Sequence, residues 1–199
     1  MVSWENRVLA LHAQGRVMVR SRVTALADFV PQAELATEYA MLPFRQTLFL
    51  EVLGFLPSLT APIAEGLESF LKQNLNKAKL TRWGLAPHAP YSVSPTLFHE
   101  VKRLADDYKC LLSCHVAEFP EELQFLQDGS GDIKSLLVKL GMYDDDWNPP
   151  ATSSARYLDS LGVLDSLVAV HLNLAEADLD LLKSRKVKAI FCPQSTRWF

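Results

Sequence analysis

Leu111-Leu112-Ser113-Cys114-His115-Val116-Ala117-Glu118 is a short apolar run that closes on an imidazole, with a carboxylate three residues further on and Pro120 just behind. So dense an apolar run predicts a strand buried on both faces, as in a parallel sheet covered by helices. A second run, Leu167-Val168-Ala169-Val170-His171, ends the same way. Two strands that each terminate in histidine suggest one site shared between neighbours. Imidazole holds a divalent metal through a ring nitrogen, and a nearby carboxylate outside the ligand set can carry protons for an activated water.

Outward from these two runs the same grammar repeats. Val23 to Val30, Thr47 to Leu53, Arg82 to Ala86 and Val187 to Phe191 are further strand candidates, about six in all. Helical spacing fills the gaps: Pro62 to Asn74 puts Leu67, Phe70 and Leu71 on one face, and Pro95 to Tyr108 does so with Leu97, Phe98, Val101 and Leu104. Ser94 suits the cap of the latter and Pro95 its first position. Glu121 to Leu126 and Ala175 to Ser184 complete the set. A strand answered each time by a helix specifies an α/β fold with right-handed crossovers. The acidic stretch Tyr143-Asp144-Asp145-Asp146-Trp147-Asn148-Pro149-Pro150 lacks the glycine-centred ligand pattern of a calcium loop and reads as a solvated loop pinned by Trp147.

Bulk composition narrows the partners. With 199 residues and 49% apolar content the chain can bury a core of one domain or part of a larger one. A net charge of −3 gives no basic footprint for nucleic acid, and no apolar run reaches the ~18 residues that would span a membrane. Met1-Val2-Ser3-Trp4-Glu5-Asn6-Arg7 lacks the order of a secretory signal, and three cysteines make no even disulfide framework. A cytoplasmic location with Cys110, Cys114 and Cys192 as buried thiols is the expectation.

Four segments taken in order, Ala86-Pro87-His88-Ala89-Pro90-Tyr91-Ser92, His115-Val116-Ala117-Glu118, Ala169-Val170-His171 and Phe191-Cys192-Pro193-Gln194-Ser195, resemble the metal-dependent amidohydrolase superfamily. The resemblance lies with its branch of cytosine deaminases, chlorohydrolases and adenosylhomocysteine deaminases, with aminofutalosine deaminases as neighbours, and runs from about Val23 to the C-terminus. It implies an incomplete (β/α)8 TIM-type barrel, strands two to seven with their helices, whose chemistry sits at the C-terminal strand ends. It further implies His115 and His171 as single metal ligands, Glu118 as the proton carrier and His88 as a substrate contact. Zinc is the implied ion, iron the alternative, and the implied substrate is a small aminated purine- or pyrimidine-like ring losing its amine to an activated water. Dechlorination or amide hydrolysis at the same centre is the alternative chemistry.

Each assignment has a structural rival. A histidine at a strand end also serves as a hydrogen-bonded brace, and His88 in particular can stiffen its loop. Glu118 could merely favour the positive end of the next helix, a role that fits Glu121 and Glu122 better. Cys114, adjoining His115, should face the other way. His12 and His99 read as solvent-facing helix residues. Glu51, an acid inside an apolar strand, lines the pocket or pairs within the barrel. Ser195 reaches the pocket or makes a local turn bond.

The resemblance also leaves gaps. The family's paired first-strand histidines have no counterpart, since no His-x-His occurs in these residues, and its eighth-strand aspartate would follow Phe199. Ser21-Arg22 stands where relatives have glycine, and Thr196 where asparagine is common. The expectation is one partial barrel domain over 1–199, without the first strand, the eighth strand and a flanking β-sandwich. Such a fragment should bind metal poorly, be inactive alone, and associate through its open sheet edges. A non-catalytic remnant acting as a scaffold or binding piece is the competing reading.

Overall fold

The computed structural model describes residues 3–197; the sequence reading that starts at Met1 lies partly outside the described residues. All six expected strands form: β1 (Ala25–Val30), β2 (Arg45–Val52), β3 (Thr81–Pro87), β4 (Leu111–Val116), β5 (Val168–His171) and β6 (Lys188–Ile190). They make one sheet in sequence order, every adjacent pair parallel. The sheet is a curled arc of a (β/α) barrel with β1 and β6 at its two edges.

Helices cover the outer face. α1 (Trp4–Arg20) precedes β1, and α2 (Ala36–Ala40), α3 (Thr60–Asn74) and α4 (Pro95–Tyr108) make the first crossovers. In α4, Ser94 caps by accepting from the Leu97 N–H at 3.2 Å, and Leu97, Phe98, Val101 and Leu104 are wholly buried. They pack against alternate strand residues, Leu48, Leu50 and Val52 of β2, Trp83 and Leu85 of β3, and Leu112, Cys114 and Val116 of β4. Cys114 therefore does face away from its neighbour His115. Cys110 and Cys192 are only half-buried, against the expectation of three buried thiols, because they sit at strand margins rather than mid-strand; all three are free.

The connection from β4 to β5 is richer than the sequence reading allowed. One helix was expected there, but three form: α5 (Pro120–Asp128), α6 (Asp132–Lys139) and α7 (Ser154–Ser160). They enclose a second core of Phe55, Phe125, Leu126, Ile133, Leu137, Trp147 and Tyr157. Trp147 stacks on Phe125 with ring centroids 4.6 Å apart, which fastens the acidic loop as its sequence suggested. α8 (Leu179–Ser184) then leads to β6. No helix among the described residues is long and apolar enough to cross a membrane.

Candidate metal centre

The site is assembled at the C-terminal ends of β2 to β5. Backbone bonds continue past the regular pairing: His88 N–H donates to the Val52 carbonyl at 2.9 Å, and His115 N–H donates to the His88 carbonyl at 2.8 Å. These bonds set Glu51, His88 and His115 side by side on the concave face. Register pairs His115 with Val170 and Val116 with His171, so strict alternation would place the two histidines on opposite faces. Left-handed backbone at His171 (φ 76°) and Leu172 (φ 56°) turns the ring inward instead. Side chains with a Cβ pay roughly 1–2 kcal/mol for each such residue, and Leu172 and Leu174 N–H groups hold the turn by donating to the Val116 and Ala117 carbonyls at 2.9 and 3.0 Å.

His171 Nε2 lies 3.1 Å from His115 Nδ1 and 3.2 Å from Glu118 Oε1. Glu51 and His88 approach His115 from the other side, and both groups, His115–Glu118–His171 and Glu51–His88–His115, offer ligand atoms within 4.8 Å of one another. Glu51 therefore lines the site rather than forming an ion pair inside the barrel. Phe29, which sequence reasoning passed over, stacks on His115 at 5.3 Å and on Phe49 at 5.6 Å. Phe49 can lie flat there because Gly84 has no side chain: a Cβ on Gly84 would meet Phe49 Cδ1 at 2.4 Å.

Burial, then the neighbouring imidazoles of His88 and His171, pushes His115 down to about 4. Burial also lowers His88, against the pull of Glu51 and Glu118, and lowers His171, against the pull of Glu118. All three rings are thus neutral near pH 7, with a lone pair on one nitrogen each. His88 Nδ1 is engaged by the Ser92 hydroxyl at 2.7 Å, so its Nε2 is the nitrogen free for other partners.

Glu118 rides on a strained turn, with Ala117 at φ 52°. Beneath it lies Glu122, wholly buried, whose two carboxylate oxygens accept from Ala117 N–H at 2.8 Å and Glu118 N–H at 3.0 Å. Ser154 Oγ adds a third bond at 2.5 Å. Glu121 and Glu122 both lie in the first turn of α5, as expected; Glu121 is exposed, whereas Glu122 acts as an N-terminal capping carboxylate reaching back into the preceding loop. Its spacing, three residues after the helix cap Phe119, was the available signal. Asn173 adds a bond from its amide nitrogen to the Glu118 carbonyl at 3.0 Å.

His99 is exposed, as expected, whereas His12 is half-buried and paired with Glu38 at 3.0 Å, because α1 lies against α2 there. Ser195 does both things weighed for it, bonding the Cys192 carbonyl at 3.0 Å and His171 Nδ1 at 3.2 Å. An open pocket of about 550 Å³ lies away from this cluster between α1 and β1, against Leu11, Met18, Leu26 and Leu42.

Two neutral imidazoles and a carboxylate converging within contact distance form a nitrogen and oxygen donor set of the kind that suits zinc or iron. Without a cation or a proton between them, their lone pairs would face one another. The residues present therefore fit a divalent ion.

No family model matches the chain. It is 32% identical over 113 residues to the 5-methylthioadenosine/S-adenosylhomocysteine deaminase of Aquifex aeolicus, covering 56% of this chain and 22% of that protein. It is 30% identical over 167 residues to the aminodeoxyfutalosine deaminase of Deinococcus radiodurans, covering 75% of this chain and 38% of that protein. A solved adenosine deaminase from Xanthomonas campestris with bound zinc superposes with a TM-score of 0.73 at 22% identity, over 97% of this chain and 40% of that one. The chain spans well under half the length of these proteins.

Proposed function

We propose that this chain, a part of the metal-dependent amidohydrolase superfamily on its nucleoside-deaminase side, is the central section of a hydrolase that removes the amine of a purine-like ring. Residues 1–199 are read as one partial barrel domain. The observation that carries this is the meeting of His115 Nδ1, His171 Nε2 and Glu118 Oε1 at 3.1 and 3.2 Å, in a chain whose relatives are named as deaminases.

His115 and His171 would hold the divalent ion, zinc in the first place, through the nitrogens that face each other. When bound, such an ion lowers the pKa of a water ligand toward ~7 and so supplies a nucleophile at neutral pH. Glu118, on its braced turn beside His171 Nε2, is placed to take a proton at Oε1 and release it to a ring nitrogen or to the departing amine. His88, neutral and oriented by Ser92, presents Nε2 to the substrate. Glu51, beside it, is an acceptor for substrate N–H or O–H groups. Phe29 and Phe49 floor the site with apolar surface that keeps water from the strand interior.

Two measurements test the reading. Titration of the purified chain with zinc should saturate near one equivalent and fail in His115→Ala and His171→Ala. A longer protein that contains this chain should release ammonia from adenosine-type nucleosides; finding none from any aminated purine or pyrimidine would remove the deaminase assignment.

A further inference from the structure

We propose that Glu122 and Ser154 are positioning residues for Glu118: through them the helices inserted between β4 and β5 hold its carboxylate against His171. The placement follows from hydrogen bonds and packing; its consequence for turnover rests on the reading of Glu118 as the proton carrier.

Glu118 Oε1 stands 3.2 Å from His171 Nε2. The turn that carries it bends through left-handed backbone at Ala117 (φ 52°), a conformation that a residue with a Cβ keeps only where its surroundings enforce it. Every backbone polar group of Ala117 and Glu118 is engaged. Both N–H groups donate to the Glu122 carboxyl, at 2.8 and 3.0 Å. The Ala117 carbonyl accepts from Leu174 N–H and the Glu118 carbonyl from the Asn173 amide nitrogen, each at 3.0 Å. The turn is thus clamped between α5 on one side and the segment that follows His171 on the other.

Half of that clamp is a single side chain with its own support. Glu122 and Ser154 are both wholly buried, and Ser154 Oγ bonds the same Glu122 oxygen that receives Ala117 N–H, at 2.5 Å. A hydroxyl donates and accepts alike. When the Glu122 carboxyl carries a proton, that proton can point to Ser154 Oγ, and both N–H bonds persist. Glu122 lies in the first turn of α5 and Ser154 opens α7. The next turns of these helices give Phe125, Leu126 and Tyr157 to the second core. That core is therefore the mount of the Glu118 turn, and the three-helix connection has a part in the chemistry beyond covering the sheet. A reacting group is held in place by buried neighbours of this kind, whose own positions are fixed by packing.

Amide hydrogen exchange of the metal-free, isotopically labelled chain, read by NMR, tests the placement. Ala117 and Glu118 N–H groups should be protected. A glutamine amide nitrogen has no lone pair to offer, so in Glu122→Gln one of the two N–H groups meets a donor whichever way the amide turns. That group should lose its protection while the amides of Phe125 and Leu126 keep theirs. In a longer protein that contains this chain, Glu122→Gln should lower kcat by about 10–100-fold and leave KM as it was, the signature of a misplaced reacting group rather than of weakened substrate binding. Ser154→Ala should lower kcat less, and the double variant should lose less than the product of the single losses, because both act through one carboxyl group. Ala117 and Glu118 amides that exchange as fast as those of exposed loops overturn the placement, and this measurement on the unmodified chain stands even if Glu122→Gln fails to fold. A folded Glu122→Gln enzyme with unchanged kcat, or single losses that multiply in the double variant, overturns the positioning role. A longer protein that releases no ammonia would defeat the deaminase reading, and the amide exchange would still decide the placement of Glu118.

Discussion

The ring nitrogens of His115 and His171 meet at 3.1 Å although their strand register assigns them to opposite faces of the sheet. Only the left-handed backbone at His171 and Leu172 permits it. A ligand bound between the two rings should offset the cost of holding this backbone geometry. A cation that binds only the folded chain stabilises it by RT ln(1 + [L]/Kd), about 2.7 kcal/mol at a hundredfold excess over Kd. Zinc should therefore raise the urea midpoint of the chain, and His171→Ala should abolish the increase. Equal zinc effects on both proteins would place the ion elsewhere.

Glu122 gives the fold a pH dependence opposite to that of most carboxylates. Burial pushes it up to about 7, although Ser154 and the N–H groups of Glu118 and Ala117 pull it back down. Between its ordinary value of 4.5 and about 7 the folded chain holds a proton that the unfolded chain has released. The Glu122 contribution is therefore full below about 4.5, declines as pH rises to about 7, and is constant above, for a total of about 3 kcal/mol at most. Denaturant unfolding at pH 5 and pH 8 should show this decline, and Glu122→Gln, which cannot ionise, should flatten it. An unaltered pH slope in that variant would count against the assignment.

Gly84 links packing beneath the site to the site itself. A Cβ there would also lie 3.1 Å from the Leu111 carbonyl, so Phe49 must move, and Phe29 and His115 are stacked in series upon it. Gly84→Ala should cost roughly 1–3 kcal/mol, as overpacked cores do. It should also weaken zinc binding, because the displaced stack carries a ligand ring. Calorimetry of unfolding and of zinc binding on the same preparation checks both; a stability loss with untouched zinc affinity would mean that Phe49 moves without Phe29.

The strands were legible because parallel strands covered by helices are nearly unbroken apolar runs, and the α4 stripe because Leu97, Phe98, Val101 and Leu104 keep helical spacing over about two turns. His115 and His171 could be singled out because polar residues closing apolar runs stand out, and Glu118 because it follows His115 by three residues; His88 was marked only by the family resemblance. The three-helix connection was not legible: α6 and α7 are short, and α6 leaves Leu136 and Val138 exposed, which blurs its amphipathic pattern. The inward turn of His171 was also hidden, since neither residue bearing positive φ is a glycine or asparagine. Glu122 shows a further limit. Sequence places it in a first turn, where a charge is ordinarily solvated, and only the loop folded above it makes it a buried brace.

The free edge of β1 makes a last expectation. Arg45 N–H donates to the Thr24 carbonyl at 3.1 Å, and in a parallel ladder the residues bonding one neighbour alternate with those bonding the other. Leu26, Asp28 and Val30 thus face β2, while Ala25, Ala27 and Phe29 turn their backbone groups to the open side. The Phe29 N–H is already satisfied by the Asp28 carboxylate at 2.8 Å, which leaves Ala25 and Ala27 as the exposed donors. β6 is a poorer template, being only three residues long. Edge pairing between two copies should then appear in sedimentation velocity as a dimer that grows with concentration. Ala27→Pro removes one of the two outward N–H groups and none that bond β2, so it should return the chain to monomer while leaving zinc binding unchanged. Dimerisation undiminished by this substitution would shift the contact to another surface, such as the apolar face of α1.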